Sequence, residues 1–173
     1  MTVRKLRAEE AGDAMRILEQ GRELLRRRGI PQWQKGGYPG MTELRRNLQN
    51  GAAYVAERDG IIIATFAFST EPDISYRELI SGEWLTQGTP YATVHRLAVS
   101  ETERGRGVAG FIYEAAAELA RACGAVSIRV DTHPQNLSMQ RAMVKSGFTY
   151  CGELILAESA EAGEIRLGYE RIL

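Results

Sequence analysis

The chain is 173 residues long, 44% hydrophobic and 25% charged, which suits one folded domain spanning 1–173 and argues against disorder. Its 22 Lys and Arg cancel its 22 Asp and Glu, so no basic surface calls for nucleic acid as a partner. The longest apolar run, Ile61 to Phe68, is far shorter than the roughly 20 residues of a bilayer span, and no secretory signal follows Met1, so no membrane partner is expected.

Val3 to Leu6 reads as a short strand. From Glu9 to Arg28, Ala14, Ile17, Leu18, Gly21, Leu24 and Leu25 recur at a helical period, and Gly29 and Pro31 end the run. Arg26 to Arg28 place cations at that helix's negative pole. Gln32 to Gly40 is a loop by its glycines and proline, yet it holds Trp33 and Tyr38, either packed on the core as a lid or walling a cleft. Thr42 is the expected cap of a second short helix, which ends near Leu48 before Asn50-Gly51. Strands at 52–57 and 61–68 flank Asp59-Gly60, a hairpin signal that makes them antiparallel. Thr70 to Pro90 reads as irregular and contains Glu83 and Trp84. Tyr91 to Val99 is a strand by its β-branched and aromatic residues. Gly107 to Cys123 is the clearest helix, with Val108, Phe111, Ile112, Ala115, Leu119 and Ala122 on one face and Gly124 closing it. A strand at 126–130, a helix at 137–145 and strands at 148–156 and 165–169 complete the chain. A hairpin, one strand–helix–strand crossover and further strands make a mixed α/β sheet. Cys123 and Cys151 stand apart with no CxxC and no close His. Neither a disulfide nor a metal site is expected, and the chain suits a reducing cytoplasm.

Arg104-Gly105-Arg106-Gly107-Val108-Ala109-Gly110 lies between a strand and the start of the strongest helix. Helix starts expose unpaired N–H groups and a positive dipole end, and glycine lets an anion approach the backbone. Arg104 and Arg106 would add charge-assisted contacts. The bland alternative is a tight turn that needs positive φ. Gly105, Gly107 and Gly110 also spell G-x-G-x-x-G, and Asp131 ends the next strand as in a dinucleotide fold. The context rejects NAD: a hairpin precedes, one crossover is available, and Glu101 to Arg104 separate the strand from Gly105. No Gly-Lys-Ser/Thr follows, which excludes a P-loop.

Arg104 to Ala109 matches the Arg/Gln-x-x-Gly-x-Gly/Ala signature of the GNAT superfamily of N-acetyltransferases. It follows Leu97-Ala98-Val99-Ser100, which resembles that family's fourth strand, and Asn136 with Gly147-Phe148 matches its asparagine and Gly-Phe helix motif. Over Ala92 to Phe148 the chain resembles a bacterial GNAT protein. The resemblance implies the acyl-CoA N-acyltransferase fold, α/β (α+β), with a mixed, mostly antiparallel central sheet splayed at the fourth strand and helices on both faces. It also implies acetyl-CoA as cosubstrate. The pyrophosphate would lie on the backbone of Arg104, Gly105, Arg106, Gly107, Val108 and Ala109, the pantetheine along Leu97, Ala98 and Val99, with a further contact from Asn136. By its own chemistry Asn136 equally caps the helix that follows it.

Acetyl transfer needs a neutral amine to attack a thioester carbonyl through a tetrahedral intermediate. A lysine-like amine, with pKa about 10.4, costs roughly 4–5 kcal/mol to deprotonate at neutral pH, and an α-amine near 8 about 1 kcal/mol. A thiol of pKa about 8.5 falls short as a leaving group by only about 2 kcal/mol. A base therefore matters more than an acid. His95 lies two residues before Leu97, so on a strand its side chain is expected to share that residue's face; it is the candidate base, with a core histidine as the alternative. By resemblance, arylalkylamine acetyltransferases carry a histidine at the matching place. A backbone N–H at Leu97 to Val99 would meet the oxyanion. His133, before Pro134, reads as a loop residue. Many GNAT enzymes carry a tyrosine acid seven residues after the asparagine, where this chain has Met143. Tyr150 is the candidate substitute; Cys151, Tyr91, a water or unaided thiolate departure are the others. The expected acceptor is a small-molecule amine, and Trp33, Tyr38, Glu83 and Trp84 hint at an aromatic, partly acidic pocket. The alternatives are a peptide or protein amine, or a non-catalytic acyl-CoA-binding module. Monomer and homodimer both stay open.

Overall fold

The computed structural model describes residues 1–88 and 90–173. In chain order the elements are β1 (Thr2–Lys5), α1 (Ala11–Arg27), α2 (Met41–Gln49), β2 (Ala53–Arg58), β3 (Ile61–Ser69), β4 (Ser81–Gly82) and β5 (Tyr91–Val99). Then come α3 (Val108–Ala122), β6 (Ser127–Thr132), α4 (Leu137–Lys145), β7 (Thr149–Ile155) and β8 (Ile165–Ile172). The strand pairing is mixed and mostly antiparallel. Each long element expected from periodicity is present, its ends coinciding with the expected ones or shifted by up to three residues. The described residues group into two compact units, Met1–Phe68 with His95–Ile112, and Ser69–Val94 with Tyr113–Leu173.

In the first unit β1, β2 and β3 form an antiparallel ladder, with Thr2 opposite Glu57 and Ala53 opposite Ala67. The β2–β3 turn holds Asp59 and Gly60 at φ +53° and +78°, the doubly left-handed turn that suits hairpin twist. One face of α1 buries Ala14, Ile17, Leu18 and Leu25, and α2 adds Leu44. With Leu6, Ala53, Val55 and Ala98 these helices close the unit's core. Each large aliphatic side chain so removed from water contributes about 1.5–3 kcal/mol. The α1 face turned to solvent carries Glu23 bonded to Arg26 and Arg27. The cap of α2 differs from expectation. Gly40 is the N-cap, its N–H donates to Glu43 Oε2 at 2.8 Å, and Thr42 lies inside the helix.

In the second unit the first residues of β5 pair in parallel with β6, Tyr91 opposite Ser127 and Thr93 opposite Arg129. β6 is antiparallel to β8, β8 to β7, and β7 to the short β4. β4 lies in the stretch read as irregular, in which Thr89 is outside the described residues. It needs Gly82 opposite Gly152, because a Cβ on Gly82 would stand 2.0 Å from Cys151 O. The unit's core gathers Tyr76, Trp84, Tyr91, Cys151 and Leu154. Arg129 lies beneath two of these rings, its guanidinium carbon 4.6 Å from Trp84 and 4.2 Å from Tyr91. Its Nε donates to the fully buried Glu170 at 3.0 Å, and Glu170 also accepts from Ser127, Thr86 and Leu85 N–H. A buried ion pair withstands its desolvation only when the remaining lone pairs are filled in this way.

Candidate active site

The C-terminal half of β5 departs from regular strand geometry at Arg96, whose φ of +53° is left-handed. A non-glycine residue keeps such a conformation only where its surroundings hold it. Here Arg96 Nη2 donates to Asn47 Oδ1 at 3.1 Å and Nη1 to Tyr38 OH at 3.4 Å. The two-residue alternation of a strand cannot be counted through this kink. The expectation that His95 and Leu97 share a face thus loses its geometric basis. His95 is half-buried, with its Nε2 shielded from solvent. Beyond the kink Leu97 and Ala98 are buried and Val99 is half-buried.

After β5 the chain makes a short 3-10 turn, Glu101–Glu103, and enters the glycine turn. Gln20 of α1 fixes both sides of it: its Oε1 accepts from Glu101 N–H at 3.0 Å, and its carbonyl accepts from Arg104 Nη2 at 2.8 Å. Arg104 Nε also donates to Val99 O at 3.2 Å. The Arg104 guanidinium therefore ties the turn to β5 and α1, and its backbone is what it can offer an anion. Arg106 is different, with a mostly exposed side chain 3.5 Å from Glu103. Gly105 and Gly107 have φ of +77° and +80°, and a Cβ on either would meet nothing within 4 Å. Both the tight-turn demand and the open approach are thus met. The first hydrogen bond of α3 runs from Phe111 N–H to Gly107 O at 3.1 Å, so the N–H groups of Gly107 to Gly110 precede it without intrahelical acceptors. Val108 is buried and anchors the helix start. The arrangement can hold a phosphate at the positive end of α3.

The loop aromatics of this unit divide. Trp33 packs against the core cluster, its ring 3.1 Å from where a Cβ on Gly21 would lie. Tyr38 is half-buried and meets Arg96. The sequence alone does not single out Arg96 or Asn47; the one signal is a charged residue following His95 inside the run Tyr91–Val99.

Asn136, Tyr150, Glu83 and Trp84 belong to the second unit. Asn136 caps α4, its Oδ1 accepting from Met139 N–H at 3.3 Å and from Ser138 Oγ at 3.1 Å. His133 Nδ1 accepts from Gln135 N–H at 3.1 Å, and burial lowers its pKa, consistent with a loop role. Met143 is buried in α4. Among the substitute acids, Tyr150 is half-exposed and meets Tyr169 edge-on at 5.5 Å. Tyr91 is buried with its hydroxyl accepting from Asp73 N–H at 3.0 Å, and burial pushes the Cys151 thiol up. Glu83 is exposed. Trp84 is a core residue, its indole N–H donating to Tyr76 O at 2.9 Å, so packing rather than a pocket wall is what it provides. Among the described residues no group of acidic, His or Cys side chains could hold a metal ion, and no helix is long and apolar enough to cross a membrane.

The model of the acetyltransferase (GNAT) family matches residues 18–148. A GNAT-family acetyltransferase from Streptococcus agalactiae is 30% identical, with a TM-score of 0.88 over 99% of this chain and 95% of that one. A GNAT-family acetyltransferase from Listeria monocytogenes is 17% identical, with a TM-score of 0.74 over 99% and 94%. The ribosomal-protein-alanine N-acetyltransferase of Brucella melitensis is 16% identical, with a TM-score of 0.70 over the full length of both chains. No curated protein matches the sequence significantly. The chain belongs to the acetyltransferase (GNAT) family, has the acyl-CoA N-acyltransferase fold and is an acetyl-CoA-dependent N-acetyltransferase. The open space beside Gly105 and Gly107, which a Cβ would enter, fits that cosubstrate's pyrophosphate.

Proposed function

We propose that the protein, acting as one catalytic domain over 1–173, moves the acetyl group of acetyl-CoA to the amine of a small molecule by direct attack. The observation that carries this reading is the turn at Arg104–Ala109, pinned by Gln20, with Gly105 and Gly107 open to an anion. Acetyl-CoA supplies an acetyl group activated as a thioester. The backbone of Arg104 to Ala109 holds the pyrophosphate, Leu97 to Val99 align the pantetheine arm, and Asn136 adds a contact beside its capping role. His95 takes the proton that the acceptor ammonium must lose before its amine can attack, a step worth about 10²–10⁴ in rate. A backbone N–H of Leu97 to Val99 meets the charge that develops on the carbonyl oxygen. Met143 has no proton to give, and a thiolate short by about 2 kcal/mol at neutral pH departs without one, Tyr150 being the side chain that would assist.

The test follows free thiol when purified protein meets acetyl-CoA with small amines in one series and peptides in the other. Amine-dependent thiol release in the small-molecule series supports the reading. Release with peptides alone overturns the acceptor class, and release in neither series overturns the transfer itself.

A further inference from the structure

Four non-glycine residues among the described ones have positive φ: Trp33, Asp59, Arg96 and Ser159. The other three lie in loops and turns, and Arg96 alone lies inside a strand. Before it, β5 keeps its parallel register with β6 over Tyr91 to Thr93. After it, the chain is tied to β3, with Ser100 N–H donating to Ile63 O at 2.8 Å. An ordinary strand φ is about −120°, so +53° turns the chain by nearly half a revolution between His95 and Leu97. One torsion therefore aims both the candidate base and the segment assigned above to the pantetheine arm. The Arg96 side chain is what holds it. Its Nη2 reaches Asn47 of α2 at 3.1 Å and its Nη1 reaches Tyr38 in the loop before α2 at 3.4 Å, all within the first unit. Its Nε is buried and meets no acceptor. With both Nη atoms engaged and the Nε shielded, the guanidinium acts on the strand and not on a ligand. A strained torsion and an unfilled donor both oppose folding, and strain of this kind gathers where it sets up a site.

We infer that Arg96, braced on α2 by Asn47, is a positioning residue for acetyl transfer: it holds the kink that sets His95 and Leu97 to Val99 at their working angle. The inference rests on the proposed function for its catalytic meaning, and one arm of its test does not need turnover. Turnover is read with acetyl-CoA and the amine that releases thiol fastest in the series above. Arg96→Ala removes the brace and leaves a Cβ at the strained torsion, so the kink should relax. Its kcat should fall about 10–100-fold, up to the loss that a misplacement of about 1 Å brings. KM for acetyl-CoA, and CoA affinity by calorimetry, should stay within about three-fold, because the pyrophosphate turn is untouched. Arg96→Gly removes the same side chain but takes positive φ freely, and its kcat should exceed that of Arg96→Ala by about three-fold or more. Asn47→Ala, which suits a helix interior, should lower kcat in the same direction by a smaller factor. Equal kcat in Arg96→Ala and Arg96→Gly would assign a side-chain contact instead and overturns the inference. So does an unchanged kcat in Arg96→Ala, a loss confined to KM or, if Arg96→Ala does not fold, an unchanged kcat in Asn47→Ala. Crystal structures of the two alanine variants form the second arm. Residue 96 is expected at negative φ in Arg96→Ala, and a kink kept intact there overturns the brace whether or not any amine is acetylated. A wild type that acetylates no amine, with the kink lost in Arg96→Ala, overturns the proposed function and leaves the brace standing.

Discussion

Replacing Gly107 by alanine separates the two roles of the glycine turn. A Cβ at φ +80° costs about 1–2 kcal/mol for an L-residue, and no atom lies within 4 Å to add a clash. For a chain of this length that lowers Tm by about 2–8 °C. The methyl instead enters the space through which a pyrophosphate oxygen would reach the N–H groups at the start of α3. Loss of one charge-assisted hydrogen bond, about 1.5–3 kcal/mol, weakens CoA binding about 10–100-fold. Gly124 supplies the control, with φ +77° at the end of α3 and likewise nothing within 4 Å of a Cβ. Gly124→Ala should match the stability loss and leave CoA affinity unchanged. Calorimetric titration of CoA into the two variants, with thermal melts alongside, reads both quantities. If Gly107→Ala binds CoA as tightly as Gly124→Ala, the pyrophosphate is held elsewhere and the reasoning fails.

His95→Gln should slow acetyl transfer by about 10²–10⁴ in steady-state assays while CoA affinity holds, and an unchanged rate retires His95 as the base. Met143→Leu should cost under about 1.5 kcal/mol in chemical denaturation and keep turnover within a few-fold; a collapse of turnover in the folded variant would expose a chemical role. Burial alone would raise the Glu170 carboxyl, but bonds from Ser127, Thr86 and Arg129 hold it below the usual range. A carboxylate depressed in the folded state contributes stability above its unfolded pKa, about 4.3, and loses it as pH falls through the lower folded value. Glu170→Gln should therefore lose about 3–5 kcal/mol at neutral pH and show a shallower fall of Tm with acid below about pH 4.3. Parallel acid melts of wild type and variant refute this if their slopes coincide.

Much of this fold is legible in the sequence because its elements carry strong local patterns. Tyr91–Val99 and Leu137–Lys145 stand where β-branched content and helical period place them, and the glycine turn is visible as spelling alone. What escapes depends on partners distant in the chain. β4 is two residues long and exists because Gly152 lets Gly82 come close. The cap of α2 escapes because glycine has no side-chain oxygen, although Glu43 three residues after Gly40 is half of a capping pattern. Trp84 reads as a pocket aromatic in an irregular stretch, and only Tyr76 and Arg129 make it core. The kink at Arg96 has no local signal, since neither arginine nor its neighbours favour positive φ. It is held by Asn47 and Tyr38, some 50 and 60 residues earlier in the chain, and so the side chain nearest in sequence to the candidate base is the one that local reasoning passes over.

The central claim is that the backbone at Arg104–Ala109 holds the cosubstrate that delivers the acetyl group. A crystal structure of the protein grown with CoA tests it most directly. The account predicts pyrophosphate oxygens within about 3 Å of N–H groups between Gly105 and Gly110, with the pantetheine arm against Leu97 to Val99. CoA bound with its pyrophosphate away from that turn would contradict it.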